Sequence, residues 1–283
     1  MSPTSPEPLR VRLDIAYDGA AFAGWARQPG RRTVQGELEA TLDRLLRAPV
    51  QVTAAGRTDA GVHARAQVAH ADVPAGADTA ELLRRLASLL PPDVRVRRVV
   101  PAPAGFDARF SALARRYAYR VADDPTGVDP LRRHDTVWHR RRLDVTAMRS
   151  AAARLLGEHD FAAYCRRRPG ATTVRRLLRL DVERADAVVL DVEADAFCHT
   201  MVRALVGALL PVGDGRRPVS WPAEVLAAGL RDPRVVVVPA HGLTLVAVTY
   251  PPDAQLAQRA AQARQRREPA ANPRVTRRCD SPG

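Results

Sequence analysis

The sequence predicts an α+β protein built from two halves with the same order of elements. Some segments carry apolar residues at every second position, and longer segments carry them at helical spacing. These segments follow the order strand-helix-strand-strand-helix-strand, and this order occurs twice. With 283 residues, 46% of them hydrophobic, the chain is long enough to bury a sizeable core.

The first half covers residues 9–102. It begins with "RVRLDIAY" at 10–17, where apolar residues alternate with polar ones as in a half-buried strand. A helix is predicted at 33–48, because Thr33 is a good N-cap and Val34, Leu38 and Leu42 follow at helical spacing. The remaining predicted elements are strands at about 50–56 and 66–73, a helix at 79–90 and a strand at 94–100.

The second half covers residues 103–250 and repeats the order. Its predicted elements are a strand at about 114–121, a helix at about 144–156, strands at 175–184 and 187–195, a helix at 199–212 and a strand at 243–250. The intervening segments 123–143 and 157–174 are rich in arginine and polar residues. We expect them to form loops that contact a ligand.

The positive charge of the chain comes from arginine alone. The sequence contains 44 arginines and no lysine, and its formal net charge is +13. Schiff-base chemistry, pyridoxal-phosphate attachment and a Gly-Lys-Ser/Thr phosphate loop are therefore excluded. The charge predicts attraction to a polyanion, most naturally a nucleic acid. The alternative is that arginine runs such as "RRR" at 140–142 and 166–168 are solvated surface.

This order of elements is that of the ferredoxin-like fold. We expect two ferredoxin-like, RRM-like modules that form one extended antiparallel sheet, with helices on one face and an RNA-binding cleft. Residues 1–8 are predicted to be a flexible N-terminal tail. Residues 251–283 are predicted to be an Arg-rich, disordered tail, although 253–267 has the composition of a helix.

The three cysteines, Cys165, Cys198 and Cys279, lack zinc-site or disulfide spacing, so we expect reduced thiols. Apolar stretches such as "ALVGALLPV" at 204–212 are too short to span a bilayer. The N-terminal "MSPTSPEPLR" lacks the apolar core of a signal peptide. These features predict a cytoplasmic protein that does not enter a membrane.

The segment "AAGRTDAGVHA" at 54–64 joins two predicted strands and contains Asp59. One interpretation is a tight turn in which Asp59 hydrogen-bonds the backbone and Gly61 adopts a positive φ angle. The other is a functional carboxylate that Arg57 keeps ionised, as a nucleophile requires. His63 has two interpretations as well, a base or a hydrogen-bonded scaffold residue.

The residues 56–64, "GRTDAGVHA", closely resemble the signature of the tRNA pseudouridine synthase A family. Other matching segments occur in family order, so that the resemblance covers roughly residues 9–250. They are "YDG" (17–19), "GW" (24–25), "TVQG" (33–36), "DARFSALARRYAYR" (107–120), "LLGEHDF" (155–161), "AFCHTMVRALVG" (196–207) and "HGLTLVAV" (241–248).

The resemblance implies an enzyme that isomerises uridine to pseudouridine at positions 38–40 of the tRNA anticodon stem-loop. It implies a homodimer that needs no cofactor and no metal. By the same resemblance Asp59 is the catalytic nucleophile. A carboxylate suits this chemistry because cleavage of a glycosidic bond builds positive charge at the anomeric carbon. Attack on the sugar, attack on the base ring and abstraction of a sugar proton all stay open.

Three further residues match functional positions of the family. Tyr117 matches the active-site tyrosine that stacks on the target base, although a tyrosine in an alternating strand is also a common core residue. Arg57 matches the arginine that helps to displace the target nucleotide. Arg203 matches the arginine that pairs with the catalytic aspartate, and its alternative is an exposed arginine on an apolar helix. The two guanidiniums are expected to orient Asp59 together.

Two rival classes of function remain at this point. A non-catalytic RNA-binding protein is consistent with the charge and the predicted fold. A metal-dependent nuclease or a glycosidase requires clustered carboxylates or a second catalytic acid. The nearest cluster is "DDP" at 123–125, which is typical of a turn.

Overall fold

The computed structural model describes residues 7–166 and 172–264 of the chain. Within these ranges the strands are β1 (Leu9–Tyr17), β2 (Thr53–Ala54), β3 (His63–Val73), β4 (Val94–Pro101), β5 (Ala114–Ala122), β6 (Val137–Trp138), β7 (Gly157–Asp160), β8 (Val174–Arg184), β9 (Val188–Ala194) and β10 (Leu243–Thr249). The α-helices there are α1 (Val34–Leu46), α2 (Thr79–Leu89), α3 (Val145–Ala153), α4 (Met201–Gly213), α5 (Trp221–Ala228) and α6 (Leu256–Arg264).

All of these strands belong to one sheet. Its main path has the order β4-β1-β3-β10-β5-β9-β8-β7, while β2 pairs with β3 and β6 pairs with β5. Most neighbours are antiparallel, but β10 runs parallel to β3 and β6 runs parallel to β5. The predicted α+β class with a mostly antiparallel sheet is therefore confirmed.

The two halves of the chain meet at a short parallel pairing. Residues Thr244 and Leu245 of β10 lie opposite His63 and Ala64 at the beginning of β3. The 55–62 loop that carries Asp59 ends where this pairing begins. The topology therefore places the loop at the junction between the halves.

The first helix forms for the reasons that its sequence indicates. The Thr33 hydroxyl accepts a hydrogen bond from the Gly36 N–H at 3.2 Å, which caps α1. Val34, Leu38 and Leu42 follow at four-residue intervals and are fully buried. The helix ends at Arg47, whose φ of 53° is left-handed.

Strand β2 is shorter than the predicted 50–56, and side chains explain why. The Val50 N–H donates to the Asp43 carboxylate at 2.7 Å, and the Val52 N–H donates to Glu39 at 3.0 Å. These N–H groups are therefore directed at α1 rather than at a neighbouring strand. The short elements β6, β7 and α5 were not expected, since runs of this length carry too little periodicity.

The two faces of the sheet are covered differently. Val11, Leu13 and Ile15 of β1 belong to the main core, which includes residues of α1 to α5. Arg12, which alternates with them, lies over the rings of Phe106 and Tyr250 at 5.9 Å and 5.4 Å. On that opposite side Phe106 packs with Leu256 of α6.

Helix α6 lies within residues 251–283, the segment predicted to be a disordered tail. Leu256 is 2% exposed, its carbonyl accepts from the Ser111 hydroxyl, and Arg264 pairs with Asp107. This part of the predicted tail is a packed helix, and it corrects the expectation that the helices lie on one face only. Residues 265–283 and 1–6, where the rest of the predicted tails fall, lie outside the described residues.

Cys165 and Cys198 are joined by a disulfide, with their Cα atoms 5.7 Å apart. The structure thus pairs two cysteines that the sequence predicted to be reduced thiols. The bond connects the 3₁₀ turn at Phe161–Tyr164 to the loop between β9 and α4, a proximity that residues 33 positions apart in the sequence did not reveal. Within the described ranges no helix is long and apolar enough to cross a membrane.

Candidate active site

Asp59 lies on the loop between β2 and β3. The Val62 N–H donates to the Asp59 carbonyl at 3.2 Å, and Gly61 has a φ of 78°. The loop is thus the tight turn that its glycine indicates. Among the described residues, however, no backbone N–H donates to the Asp59 carboxylate, which leaves the side chain available for other contacts.

Two segments of the first half hold this loop in place. The Trp25 N–H donates to the Thr58 carbonyl at 3.0 Å, and the Gly61 N–H donates to the Phe22 carbonyl at 3.3 Å. A Cβ atom at Gly19 would lie 2.0 Å from the Val62 carbonyl oxygen, so only glycine fits there. The segments "YDG" and "GW" therefore act as a backbone support for the turn.

Three buried polar side chains, those of Tyr17, Thr58 and Gln67, hold the loop against the sheet. The hydroxyls of Tyr17 and Thr58 are 2.7 Å apart and hydrogen-bonded. The Gln67 amide donates to the Gly56 carbonyl at 2.7 Å, and its nitrogen lies 3.4 Å from the Tyr17 hydroxyl. Buried hydrogen bonds of this kind fix the loop relative to the sheet.

The Asp59 carboxylate faces two side chains of the second half. Its Oδ2 lies 3.7 Å from Nη1 of Arg203, and its Oδ1 lies 3.4 Å from Nε2 of His199. Arg203 is anchored by a hydrogen bond from its Nε to the Val238 carbonyl at 2.7 Å. The Asp59 side chain is 28% exposed, so the contacts are shielded only in part from solvent.

Arg57 occupies a different environment. It is exposed and lines the same cavity as Asp59, but within the described part of the chain it forms no ion pair with that carboxylate. Among the described residues, Asp59 thus pairs with Arg203 but not with Arg57, whose expected role at the carboxylate stays a prediction. Its exposure at the cavity leaves the predicted contact with substrate untested.

Tyr117 lines the cavity from β5 and is only 7% exposed. Its ring meets that of Phe197 edge-on, with 5.2 Å between the centroids. Burial raises the pKa of the Tyr117 hydroxyl, and the Tyr17 and Asp59 charges raise it further. The tyrosine is therefore a core residue that also lines the cavity, and its stacking on the target base stays a prediction.

The cavity between the two halves has a volume of about 620 Å³. Five arginines line it, and among the described lining residues Asp59 is the single acid. The five are Arg57, Arg109, Arg115, Arg175 and Arg203. Such a site attracts a polyanion and presents one carboxylate to it.

Arg115 is an additional structural residue of this cavity. Its guanidinium donates to the carbonyls of Ala55, Arg109 and Asp195 at 2.7 to 2.8 Å. Burial lowers the pKa of Arg115, although an arginine stays charged at this depth. The residue connects the start of the Asp59 loop with the start of the loop that carries His199.

His63 is a scaffold residue. Its Nδ1 accepts from the Gly19 N–H at 3.0 Å, and its Nε2 lies 3.0 Å from the His241 carbonyl. Both ring nitrogens thus have backbone partners, and Nδ1 also lies 3.0 Å from the Asp18 carboxylate. This arrangement favours the scaffold interpretation over that of a base.

The sequence interpretation did not single out His199 or Arg115. A signal is present for Arg115, which precedes Tyr117 by two residues, a spacing that places both side chains on one side of a strand. His199 precedes Arg203 by four residues, but it lies before α4 and is followed by the left-handed Thr200, so helical spacing does not explain its position. Among the described residues no group of three or more His, Cys, Asp or Glu side chains is placed to hold a metal.

Fold and site together define an α+β protein with an arginine-lined cleft around one carboxylate. A family model described as tRNA pseudouridine synthase matches residues 15–111 and 151–251. A tRNA pseudouridine synthase A from Frankia casuarinae is 64% identical over 255 residues, which is 89% of this chain and 93% of that protein. One from Streptomyces griseus is 61% identical and covers 92% and 94%.

The chain therefore belongs to the tRNA pseudouridine synthase family. Among solved structures, an archaeal box H/ACA sRNP Nop10–Cbf5 complex is similar at a TM-score of 0.32 and 12% identity, covering 71% of this chain and 43% of that one. That likeness is too low to support an argument about the fold or the site.

Proposed function

We propose that this protein isomerises uridine to pseudouridine in tRNA, at positions 38–40 of the anticodon stem-loop, with Asp59 as the catalytic nucleophile. The observation that carries the proposal is the position of Asp59, which faces the anchored Arg203 in a cleft lined by five arginines. We infer the reaction from the family to which the chain belongs, and we infer the role of Asp59 from its match to the family motif "GRTDAG".

The chemistry needs only one carboxylate. When the bond between the anomeric carbon and N1 of uracil breaks, positive charge develops on the sugar, and an ionised carboxylate stabilises or attacks it. The uracil then reattaches through C5, the hydrogen at C5 leaves as a proton, and N1 takes up a proton, so that the product is an isomer of the substrate. Arg203 places its guanidinium 3.7 Å from the Asp59 carboxylate, where the opposite charges attract each other and orient the side chain.

The other residues of the cleft have consistent roles. Tyr117 presents an aromatic wall on which a flipped base stacks. Arg57 is exposed at the same cavity, where it contacts the substrate backbone or fills the position that the target nucleotide vacates. Arg109, Arg115 and Arg175 add positive charge for the phosphates around the target.

The proposal includes the architecture around the site. We infer two ferredoxin-like modules at 9–102 and 103–250. When the four main strands of each half are numbered in chain order, both halves place them side by side in the order 4-1-3-2, which is β4-β1-β3-β2 in the first and β10-β5-β9-β8 in the second. A homodimer in the cytoplasm that uses neither cofactor nor metal is inferred from the family resemblance.

Release of tritium from tRNA labelled at C5 of its uridines tests this function. Wild type should release tritium, with the product at positions 38–40. Asp59→Ala should lower the rate by about a thousandfold or more while tRNA binding persists. Asp253→Ala, at an exposed acid of the 3₁₀ turn Asp253–Gln255, is the matched control and should retain the wild-type rate.

The control and the binding assay separate the possible failures. If folded wild type binds tRNA but releases no tritium, the protein is an RNA-binding protein rather than an isomerase. If Asp59→Ala releases tritium at the wild-type rate, Asp59 is not the nucleophile. A chelator should leave the rate unchanged once tRNA folding is controlled.

A further inference from the structure

His199 lies on the segment between β9 and α4, opposite the Asp59 loop. Its backbone carbonyl accepts from the Arg166 N–H at 3.1 Å, and the neighbouring Cys198 is joined to Cys165. The segment is therefore attached to the 3₁₀ turn at Phe161–Tyr164 on one side and to α4 on the other. The His199 ring is 21% exposed and lines the cavity.

The backbone next to His199 adopts an unusual conformation. Thr200, the residue before α4, has a φ of 65°, which is rare for a β-branched residue. Residues in conformations of this kind cluster at active sites, where the surrounding structure holds them in place. Here the left-handed residue turns the chain from the loop into α4, so that His199 and Arg203 both face Asp59.

The two residues contact different oxygens of the carboxylate. Nε2 of His199 lies 3.4 Å from Oδ1, and Nη1 of Arg203 lies 3.7 Å from Oδ2. A carboxylate with one donor on each oxygen has its plane fixed, whereas one with a single partner can rotate about that contact. The other charged groups lining the cavity are Arg57, Arg109, Arg115 and Arg175.

We propose that His199 is a positioning residue for Asp59, whose Nε2–H donates to Oδ1 and holds the carboxylate in the plane from which it reacts. This inference rests on the function proposed above and adds a residue to that site. Both distances exceed those of a tight hydrogen bond, and such contacts commonly shorten once substrate fills the site. Arg203 supports the charge, and His199 sets the orientation.

Three substitutions at His199 test the geometry. His199→Gln places an amide donor near the position of Nε2, His199→Asn places it near Nδ1, and His199→Ala removes it. We expect Ala and Asn to lower kcat on the order of tenfold to a hundredfold, since small misplacements of a reacting group have effects of this size. Gln should restore most of kcat, while KM and the Kd for tRNA stay within about twofold of wild type in all three.

Gln and Asn carry the same amide group and differ by one methylene in length, so comparing them separates the position of the donor from its polarity. His134→Gln, at an exposed histidine, is the matched control and should keep the wild-type kcat. Thermal unfolding of each variant shows whether the fold persists. Because Gln preserves the donor, it keeps the inference testable even if Ala destabilises the loop.

The outcomes are distinguishable from failure of the proposed function. If wild type forms no pseudouridine, the proposed function itself fails. If wild type is active and His199→Ala matches its kcat, the positioning role is refuted. An effect confined to KM would assign His199 to tRNA binding, and equal losses in Gln and Asn would assign it to general packing; either result overturns the inference.

Discussion

At the scale of single residues, the site depends on how one carboxylate is held. Asp59 receives support from a loop-anchored histidine and a helix-anchored arginine, each within 3.7 Å. The planar guanidinium of Arg203 makes two contacts at once. Its Nε donates to the Val238 carbonyl, and its Nη1 faces Asp59. The planar shape of the guanidinium therefore matters for holding Asp59, as well as its charge.

Arg203→Lys tests this point. An ammonium group keeps the positive charge but cannot contact both the Val238 carbonyl and Asp59. We expect kcat to fall by about tenfold to a hundredfold with little change in the Kd for tRNA. Arg154→Lys, at an exposed arginine that ends α3, is the control. A lysine variant with full kcat would show that charge alone suffices.

At the scale of elements, the site is assembled from loops that lie far apart in the sequence. The Asp59 loop begins at β2, the His199 loop begins after β9, and the segment before β5 lies between them. Arg115 donates hydrogen bonds to a carbonyl in each of these three segments. Its removal leaves buried carbonyl groups without a donor, which is costly.

Arg115→Met and Arg116→Met form a matched pair on one strand. Arg115 is 8% exposed, whereas the Arg116 side chain is 43% exposed and pairs with Asp191 at the surface. We expect Arg115→Met to lower the free energy of unfolding by about 2–4 kcal/mol. Arg116→Met should lower it by less than about 1 kcal/mol.

Urea unfolding measures both values, and tritium release shows whether the Asp59 loop is displaced as well. Activity should fall in Arg115→Met and persist in Arg116→Met. Equal destabilisation by the two substitutions would contradict the role assigned to the buried guanidinium.

At the scale of the whole molecule, the buried tyrosines link stability to pH. All five tyrosines of the chain have a raised pKa, and burial is the main cause in each. For Tyr17 burial raises the pKa to about 12. Above about pH 10 the unfolded chain therefore releases protons that the folded protein retains.

The contribution of the tyrosines to stability should consequently be constant below about pH 10 and fall as the pH rises further. Each tyrosine that stays protonated contributes a loss of about 1.4 kcal/mol per pH unit in the free energy of unfolding. Urea unfolding between neutral pH and about pH 11 measures the loss, and phenolate absorbance follows ionisation. Phenolate formation near pH 10 in protein that stays folded would contradict the prediction.

Local features of the sequence determined several strands, helices and turns of this protein. Alternation predicted β1 and β5, the Thr33 cap and the leucine spacing predicted α1, and Gly61 predicted the turn after Asp59. These predictions succeed because neighbouring residues alone determine periodicity, capping and turn chemistry. The family signature predicted the reaction and the four site residues, of which the proposed experiments test Asp59 and Arg203.

Only the tertiary structure decided which distant side chains meet. The pairing of β10 with β3 brings the Asp59 loop against α4, so that His199 and Arg203, rather than Arg57, face the carboxylate. The same holds for the packing of α6 on the second face of the sheet. Such contacts depend on strand register and on how two halves fit together, and no short stretch of sequence contains that information.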